Sequence, residues 1–193
     1  MNVGVLVSGT GTNLQALLDA EARGELAPAQ ITIVISNNPV APALVRATAA
    51  GKPALAIDHH GMSRQAFEDL LIAGLRDVEL VVLAGFMRVL TPHFLARFAG
   101  RVINTHPSLL PAFPGMDAPG QAISAGVRES GVTVHVVDQT VDGGAILAQV
   151  SVPIVAGDTP ASLHARIQAE EHRLLPRIVR EIAAGQIVFG PTS

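Results

Sequence analysis

The sequence predicts an α/β fold, in which a single Rossmann-like domain has a mainly parallel, twisted sheet with an antiparallel edge. Short apolar runs alternate with helical patterns through the first two-thirds of the 193 residues. These runs are rich in Val and Ile without polar alternation, as is typical of parallel strands buried on both faces. The last two strand-like runs follow one another with no helix between them, which predicts antiparallel pairing at one edge of the sheet.

The elements of the first two-thirds follow from this alternation of apolar runs and helical periodicity. Each predicted strand is a compact apolar run, and the predicted strands are Val3–Val7, Ile31–Ser36, Ala54–Ile57, Leu80–Gly85 and Val102–Thr105. Each predicted helix carries apolar residues at helical spacing, and the predicted helices are Leu14–Arg23, Ala41–Ala50, Ser63–Arg76 and Pro92–Phe98. One domain over residues 1–193 accommodates this pattern, with no repeat or linker.

The last third departs from the alternation. Proline and glycine recur through Leu109–Gly120, which predicts a loop. Val132–Val137 and Ala145–Ile154 then read as strands. Pro160–Ala184 has a long helical pattern, and Pro176 inside it predicts a kink or a break.

Composition excludes several classes of function. Net charge is −3, and Lys52 is the only lysine, so the chain has no basic footprint for nucleic acid or for a membrane surface. The first apolar run ends early at Ser8 and lacks a basic flank, so it predicts a strand and not a signal peptide, and a cytoplasmic protein is expected.

Cysteine is absent and no His-x-x-x-His pair occurs, which argues against a catalytic metal. The adjacent His59 and His60 cannot easily chelate an ion from one face, and His172 on a predicted helix is expected at the surface or an interface. His135 shares a strand face with Thr133 and could line a site or simply pack.

The segment from Arg101 to Pro111 is the most informative part of the chain. Its apolar run delivers Asn104 and His106 to a strand end, and residues two apart on a strand point to the same face. An amide donor beside an imidazole suits stabilisation of an oxyanion together with proton transfer. The triplet by itself is equally compatible with a polar strand terminus that caps a turn.

A glycine-rich loop over residues 8–13 lies between the first strand and the first helix. Glycines allow an anion to approach the backbone closely, and the amides at a helix start attract negative charge. Thr12 or Asn13 could cap that helix or bond the same ligand. A tight turn without a ligand is the alternative. The second strand ends in Ser36-Asn37-Asn38 without a carboxylate for a dinucleotide ribose, so a monophosphate is the favoured ligand.

Two further segments fall at positions where α/β proteins bind ligands. Residues 83–90 follow the central strand and could form an apolar wall for a flat heterocycle, although Phe86 or Met87 could simply pack in the core. Asp142 stands before Gly143-Gly144 in a turn-rich segment between the late strands. Its carboxylate could meet the imidazole of His106 and favour the cationic form, or it could simply form the turn.

These motifs occur in the same order as in the folate-dependent formyltransferases that act on glycinamide ribonucleotide. The resemblance rests on Ser-Gly-x-Gly-Thr-Asn, Leu-Ala-Gly-Phe-Met-Arg, Asn-x-His-Pro-Ser-Leu-Leu-Pro and Val-Asp-x-Gly, and it extends from Met1 to about Gly185. It implies formyl transfer from 10-formyltetrahydrofolate, as co-substrate, to glycinamide ribonucleotide in purine biosynthesis. It also implies small-molecule partners only, with no metal, nucleic acid or membrane, in a monomer or weak homodimer.

The resemblance assigns site roles by position. It implies catalysis by Asn104, His106 and Asp142 and substrate binding by Gly11, Thr12, Asn13 and Glu171. It implies that the folate site includes Arg64, Met87, Arg88, Val89, Leu90 and Asn104.

One position departs from the family pattern. The family usually carries a histidine two residues after Phe113-Pro-Gly115, where this chain has Asp117. An ionised carboxylate there cannot donate a hydrogen bond and would repel a phosphate, so Asp117 is expected to face solvent or a basic side chain.

Three alternatives to the transferase remain at this point. A formyltetrahydrofolate hydrolase would use the same Asn, His and Asp but usually carries an N-terminal regulatory domain. The tRNA formyltransferases add a C-terminal RNA-binding domain, for which no room is expected after Ser193. A phosphate-binding module would bind ligand without turnover.

Overall fold

The computed structural model describes residues 1–188, so residues 189–193 of the predicted domain lie outside the described residues. Its strands, numbered in chain order, are β1 (Asn2–Val7), β2 (Gln30–Ser36), β3 (Ala54–Ala56), β4 (Leu80–Leu83), β5 (Val102–His106), β6 (Glu129–Val136) and β7 (Ile146–Pro153). Its helices are α1 (Thr12–Ala22), α2 (Pro42–Ala49), α3 (Arg64–Gly74), α4 (Pro92–Arg97), α5 (Ala118–Ser124) and α6 (Pro160–Ala183).

The strands form one sheet in the order β3-β2-β1-β4-β5-β6-β7. Pairing is parallel from β3 through β5, and β6 and β7 then add antiparallel pairs. The predicted fold class is therefore confirmed, including the antiparallel edge. In a sheet of this kind the carboxyl ends of β1 to β5 meet at one edge, where ligands usually bind.

Helices cover both faces of the sheet. One buried cluster joins α1 and α6 to the sheet, with Leu14, Leu17 and Ile178 among its members. The other joins α3 and α4 to the opposite face through Phe67, Leu71 and Phe94 and related residues. Burial on both faces explains why the parallel strands read as unbroken apolar runs.

One prediction from the last third of the chain is wrong and another is wrong in part, since the break predicted at Pro176 does not occur and a kink there stays a prediction. The loop predicted over Leu109–Gly120 ends early, because α5 begins at Ala118. Proline fits the first turn of a helix, where its missing N–H has no partner to lose, so Pro119 does not oppose α5. Helix α6 runs through Pro176 without a break, and its buried residues on both sides of that proline hold it against the sheet.

None of the helices among residues 1–188 has the length and hydropathy that a membrane span requires.

Candidate active site

A cavity of about 720 Å³ opens at the carboxyl ends of β4 and β5. Segments 85–90, 104–107, 115–119 and 137–142 form most of its lining. Its position is the usual one for ligands of open α/β sheets, and its size suits a small organic molecule. The three predicted catalytic residues Asn104, His106 and Asp142 all line it.

The predicted approach of Asp142 to His106 is present in the structure. His106 Nδ1 lies 3.3 Å from Asp142 Oδ2, and the two side chains are only 6% and 12% exposed. His106 Nε2 lies 2.8 Å from the carbonyl oxygen of Phe113. Both ring nitrogens thus face acceptors, an arrangement that suits an imidazolium because only the cation donates from both nitrogens.

Asp142 both forms a turn and pairs with the imidazole. Its backbone has a φ of 53°, in the left-handed region that aspartate tolerates. Its Oδ2 accepts a hydrogen bond of 2.8 Å from the backbone N–H of Gly115. A Cβ on Gly144 would lie 1.8 Å from the Val136 carbonyl oxygen, so this glycine is required for the close return of the chain to β6. The turn therefore aims the carboxylate at His106.

His135 belongs to the same cluster, although the sequence left open whether it lines the site or packs. It lies opposite Asn104 in the β5–β6 pair and is only 1% exposed. Its Nε2 is 3.3 Å from Asn104 Nδ2 and 3.7 Å from Asp142 Oδ1. The sequence does contain a signal for this position. His135 follows Thr133 by two residues on an otherwise apolar strand, so both polar side chains lie on the same face of the sheet.

The β1–α1 loop (residues 8–13) is shaped by Gly11. This residue is the N-cap of α1 with a φ of 74°, and no side chain caps the helix. Of the two roles left open for Thr12 and Asn13, capping of α1 is excluded, because both residues already lie inside the helix. The first N–H groups of α1 have no intrahelical acceptor, which leaves the loop suited to an anion.

Side chains from other elements fix the start of α1. Gln168 Nε2 on α6 donates to Thr12 Oγ1 at 3.1 Å, and Asn13 Nδ2 donates to Thr105 Oγ1 at 3.3 Å. Arg46 Nε on α2 donates to the carbonyl oxygen of Thr10 at 2.8 Å. The loop thus has a guanidinium held against its backbone.

A smaller cavity of about 330 Å³ lies along α1 and includes Thr12, Arg46 and His172 in its lining. His172 was predicted to lie at the surface or an interface, but its Nε2 is buried and has no hydrogen-bond partner within residues 1–188. Burial lowers the pKa of His172.

The β4–α4 loop (residues 84–91) carries the predicted folate-site residues. Met87, Arg88, Val89 and Leu90 all line the larger cavity. Met87 is 70% exposed, so it does not serve core packing, whereas Phe86 is buried. The loop is held at both ends: Ser8 Oγ accepts from the Met87 N–H at 2.8 Å, and buried Glu68 accepts from the Thr91 N–H at 2.7 Å.

Glu171 lies on α6, is only 5% exposed and is not among the residues that line either cavity. Burial raises the pKa of its carboxyl to about 7, while neighbouring Asn13 and Thr105 favour the ionised form and oppose the shift. Thr105 lies between Asn104 and His106 on β5, so the carboxyl connects the β1–α1 loop with the catalytic strand.

Residues 1–179 match the profile of the formyl transferase family. The chain belongs to that family. It is 42% identical to the phosphoribosylglycinamide formyltransferase of Haemophilus influenzae, over 96% of this chain and 88% of that protein. Among solved structures, glycinamide ribonucleotide transformylase 1 of Symbiobacterium toebii is 44% identical, with a TM-score of 0.95, covering 100% of this chain and 94% of that one.

Longer relatives contain the same unit. The trifunctional purine biosynthetic protein adenosine-3 of Drosophila melanogaster is 46% identical over 98% of this chain. The chain spans only 14% of the length of that relative and 19% of its human counterpart. The match to these proteins therefore concerns one portion of each of them.

Within this formyl transferase, the structure does not bring every predicted residue into the cavity. Arg64 begins α3 immediately after the N-cap Ser63 and is exposed. It is not among the residues that line the larger cavity. Its contact with folate stays a prediction.

The histidines near the end of β3 form a cluster of their own. Asp58, His59 and His60 each place one potential ligand atom within 4.8 Å of the others. The sequence argument that adjacent histidines cannot easily serve one ion is therefore not supported by their geometry. His60 Nδ1 already lies 2.6 Å from Asp58 Oδ1. Asp58 and His60 are exposed, as acidic groups at a surface commonly are without an ion. That catalysis uses no metal stays a prediction.

Asp117 has a structural role that the sequence did not predict. Its side chain accepts a hydrogen bond of 3.3 Å from the Gly120 N–H and thereby caps α5, with a φ of 55°. The residue is exposed at the edge of the cavity, in agreement with the expected solvent-facing position.

Replacing Asp117 with alanine is expected to lower the free energy of unfolding by about 1 kcal/mol, because the helix loses its cap. kcat/KM should change by less than about tenfold, since Asp117 contacts none of the catalytic side chains. Asp117→Asn is the matched control, because it keeps the capping oxygen. Urea unfolding and steady-state assays test both points, and a loss of activity comparable to that of His106→Ala would show a catalytic role.

The buried carboxyl of Glu171 should make stability depend on pH. The folded state holds its proton up to a pH of about 7, whereas the unfolded state releases it near 4.5, so stability decreases as pH rises between these values. The full effect is about 3 kcal/mol. Glu171→Gln should remove this part of the slope in urea unfolding measured from pH 4.5 to 8. If the free energy of unfolding depends on pH in the same way in the wild type and in Glu171→Gln, burial does not raise the pKa of Glu171 as stated.

Proposed function

We propose that this chain transfers a formyl group from 10-formyltetrahydrofolate to the amine of glycinamide ribonucleotide, as phosphoribosylglycinamide formyltransferases do. The observation that carries the proposal is the convergence of Asn104, His106 and Asp142 on one cavity. That cavity is bordered by an apolar loop suited to a flat heterocycle, and the anion-suited β1–α1 loop is joined to it through Asn13 and Thr105. Family membership alone would leave the acceptor open.

In this proposal the two ligands enter from different sides. The β4–α4 loop takes the pterin of the folate between its apolar side chains and its main-chain groups. The β1–α1 loop takes the phosphate of the ribonucleotide on the free amides of α1. Glu171 lies beside Asn13 and Thr105, and its carboxylate is proposed to hold the amino group of the substrate.

The reaction begins when the free amine of the ribonucleotide attacks the formyl carbon. The new C–N bond gives a tetrahedral intermediate whose oxygen carries a negative charge. Asn104 donates from its amide. His106 donates from Nε2 as an imidazolium stabilised by Asp142 at Nδ1, and the oxyanion takes the place of the Phe113 carbonyl oxygen as the acceptor. Both interactions are strongest when the negative charge is fully developed. The intermediate then collapses as the bond to the folate nitrogen breaks.

One proton must move from the attacking nitrogen to the folate nitrogen. His106 can carry it: the imidazolium gives a proton from Nε2 to the folate nitrogen and takes one back from the attacking nitrogen, while Asp142 holds the ring at Nδ1. A water molecule held by Asp142 is the other possible carrier. Both routes leave the enzyme unchanged and the charges balanced.

We also propose that the protein acts in the cytoplasm as a monomer or weak homodimer, on small molecules and without a metal. Its net charge of −3 and single lysine support the absence of nucleic-acid or membrane partners.

The test uses purified protein with both substrates, followed by omission of the ribonucleotide. Formation of tetrahydrofolate and formylated ribonucleotide only when both substrates are present would support the transferase. Folate turnover without the ribonucleotide would instead indicate a hydrolase. Ligand binding without turnover would reduce the protein to a phosphate-binding module.

A further inference from the structure

The two ring nitrogens of His135 face partners of opposite kind. Nδ1 lies 3.0 Å from the carbonyl oxygen of Val136, which can only accept a hydrogen bond. Nε2 lies 3.3 Å from Nδ2 of Asn104, which can only donate. A neutral imidazole with its proton on Nδ1 satisfies both contacts at once, and the opposite tautomer satisfies neither.

Burial supports the neutral form. His135 is 1% exposed, and desolvation lowers its pKa even though the carboxylates of Asp142 and Asp138 favour the cation. The His106 imidazole nearby also disfavours the cationic form of His135. His135 therefore stays an acceptor at Nε2 at neutral pH.

We infer that neutral His135 is a positioning residue that fixes the side-chain amide of Asn104. The two residues lie directly opposite each other in the antiparallel β5–β6 pair, where side chains share a face. With one N–H of Asn104 bound to His135, the second N–H is held in a fixed direction for the developing oxyanion. This inference rests on the proposed formyl transfer.

The same tautomer keeps Asp142 available to His106. Asp142 Oδ1 lies 3.7 Å from His135 Nε2, but an unprotonated nitrogen offers it no hydrogen bond. The carboxylate therefore remains with His106 Nδ1, at 3.3 Å, and with the Gly115 N–H. His135 thus supports one oxyanion donor without competing for the partner of the other.

Two near-isosteric variants separate the two nitrogens of the ring. His135→Asn places an amide nitrogen near the Nδ1 position, so it keeps the donor to Val136 but has no acceptor for Asn104. His135→Gln can place its amide oxygen near the Nε2 position, so it restores that acceptor. We expect His135→Asn to lower kcat about tenfold, the equivalent of one hydrogen bond, with the ribonucleotide KM nearly unchanged. His135→Gln should recover most of this loss.

The double variant distinguishes an effect of His135 through Asn104 from a general effect on the structure. If His135 acts through Asn104, then Asn104→Ala combined with His135→Asn should be no slower than Asn104→Ala alone. Multiplied losses in the double variant, or an unchanged kcat for His135→Asn, would overturn the inference. Absence of two-substrate turnover in the wild-type protein would overturn the proposed function first, and this inference with it.

A measurement on the unaltered protein covers the case in which a variant does not fold. Nitrogen-15 chemical shifts of the imidazole distinguish a protonated from an unprotonated ring nitrogen. At pH 7 we expect His135 to show its proton on Nδ1 and an acceptor at Nε2. A proton on Nε2 would overturn the inference directly.

Discussion

Replacing His106 with alanine is expected to lower kcat by about 10²–10³ while the affinity for the ribonucleotide changes little. The imidazole lines the cavity in which the oxyanion is proposed to develop, and its Nδ1 lies 3.3 Å from Asp142 Oδ2. Its interaction is made mainly in the transition state, so the loss should appear in kcat. Steady-state assays with calorimetric binding of the ribonucleotide measure the two effects separately.

Asn104→Ala and Asp142→Ala should lower kcat by a similar factor. The loss of kcat in the combined variants should be much smaller than the product of the single losses, because the three residues act on one oxyanion. Asp142→Asn is the matched control for charge, since an amide oxygen can still accept from the Gly115 N–H. Near-full activity of Asp142→Ala would contradict the ion-pair role, whatever the result for His106. Unfolding curves for each variant show whether the fold is intact.

The sequence predicted the sheet well because its strands are buried on both faces, and that burial leaves continuous apolar runs. The meeting of Asp142 with His106 was implied by the resemblance to the formyltransferases, because an aspartate before Gly-Gly is by itself a turn signal. The start of α5 was missed because Pro119 and Gly120 are common to loops and to first helical turns.

Other features depend on contacts that are distant in the chain. His135 enters the site only because β6 pairs with β5 in a register that sets it opposite Asn104. The burial of Glu171 depends on α6 packing against α1 and β6, so the sequence near Glu171 does not indicate its raised pKa. Composition and spacing do not contain this information.

The structure gives a different reason from the sequence for glycine at position 11. The sequence attributes this glycine to the close approach of a phosphate. In the fold, a Cβ on Gly11 would lie 2.6 Å from Ala43 Cβ and 2.9 Å from Ala43 Cα, on the helix packed beside it. Its φ of 74° adds a strain that branched side chains avoid. The packing of α1 against α2 is thus sufficient to require glycine here.

Gly11→Val is therefore expected to lower the free energy of unfolding by about 3 kcal/mol, from overpacking and left-handed strain together. The ribonucleotide affinity should also fall by more than about tenfold, since displacement of α2 would disturb the amides that bind the phosphate. Folate affinity should change little. Urea unfolding and calorimetry with each ligand measure these quantities.

Gly9→Ala is the control that separates packing from ligand approach. A Cβ at Gly9 has no neighbour within 4 Å, so this substitution should leave the free energy of unfolding unchanged. Weaker ribonucleotide binding by Gly9→Ala, at unchanged stability, would then show that the phosphate approaches the backbone at this loop. If Gly11→Val proves as stable as the wild type, the packing explanation is wrong. If Gly11→Val lowers the affinity for both ligands equally, the β1–α1 loop is disrupted as a whole and the result is not specific to phosphate. The affinity of Gly9→Ala for the ribonucleotide then tests whether the anion binds at this loop.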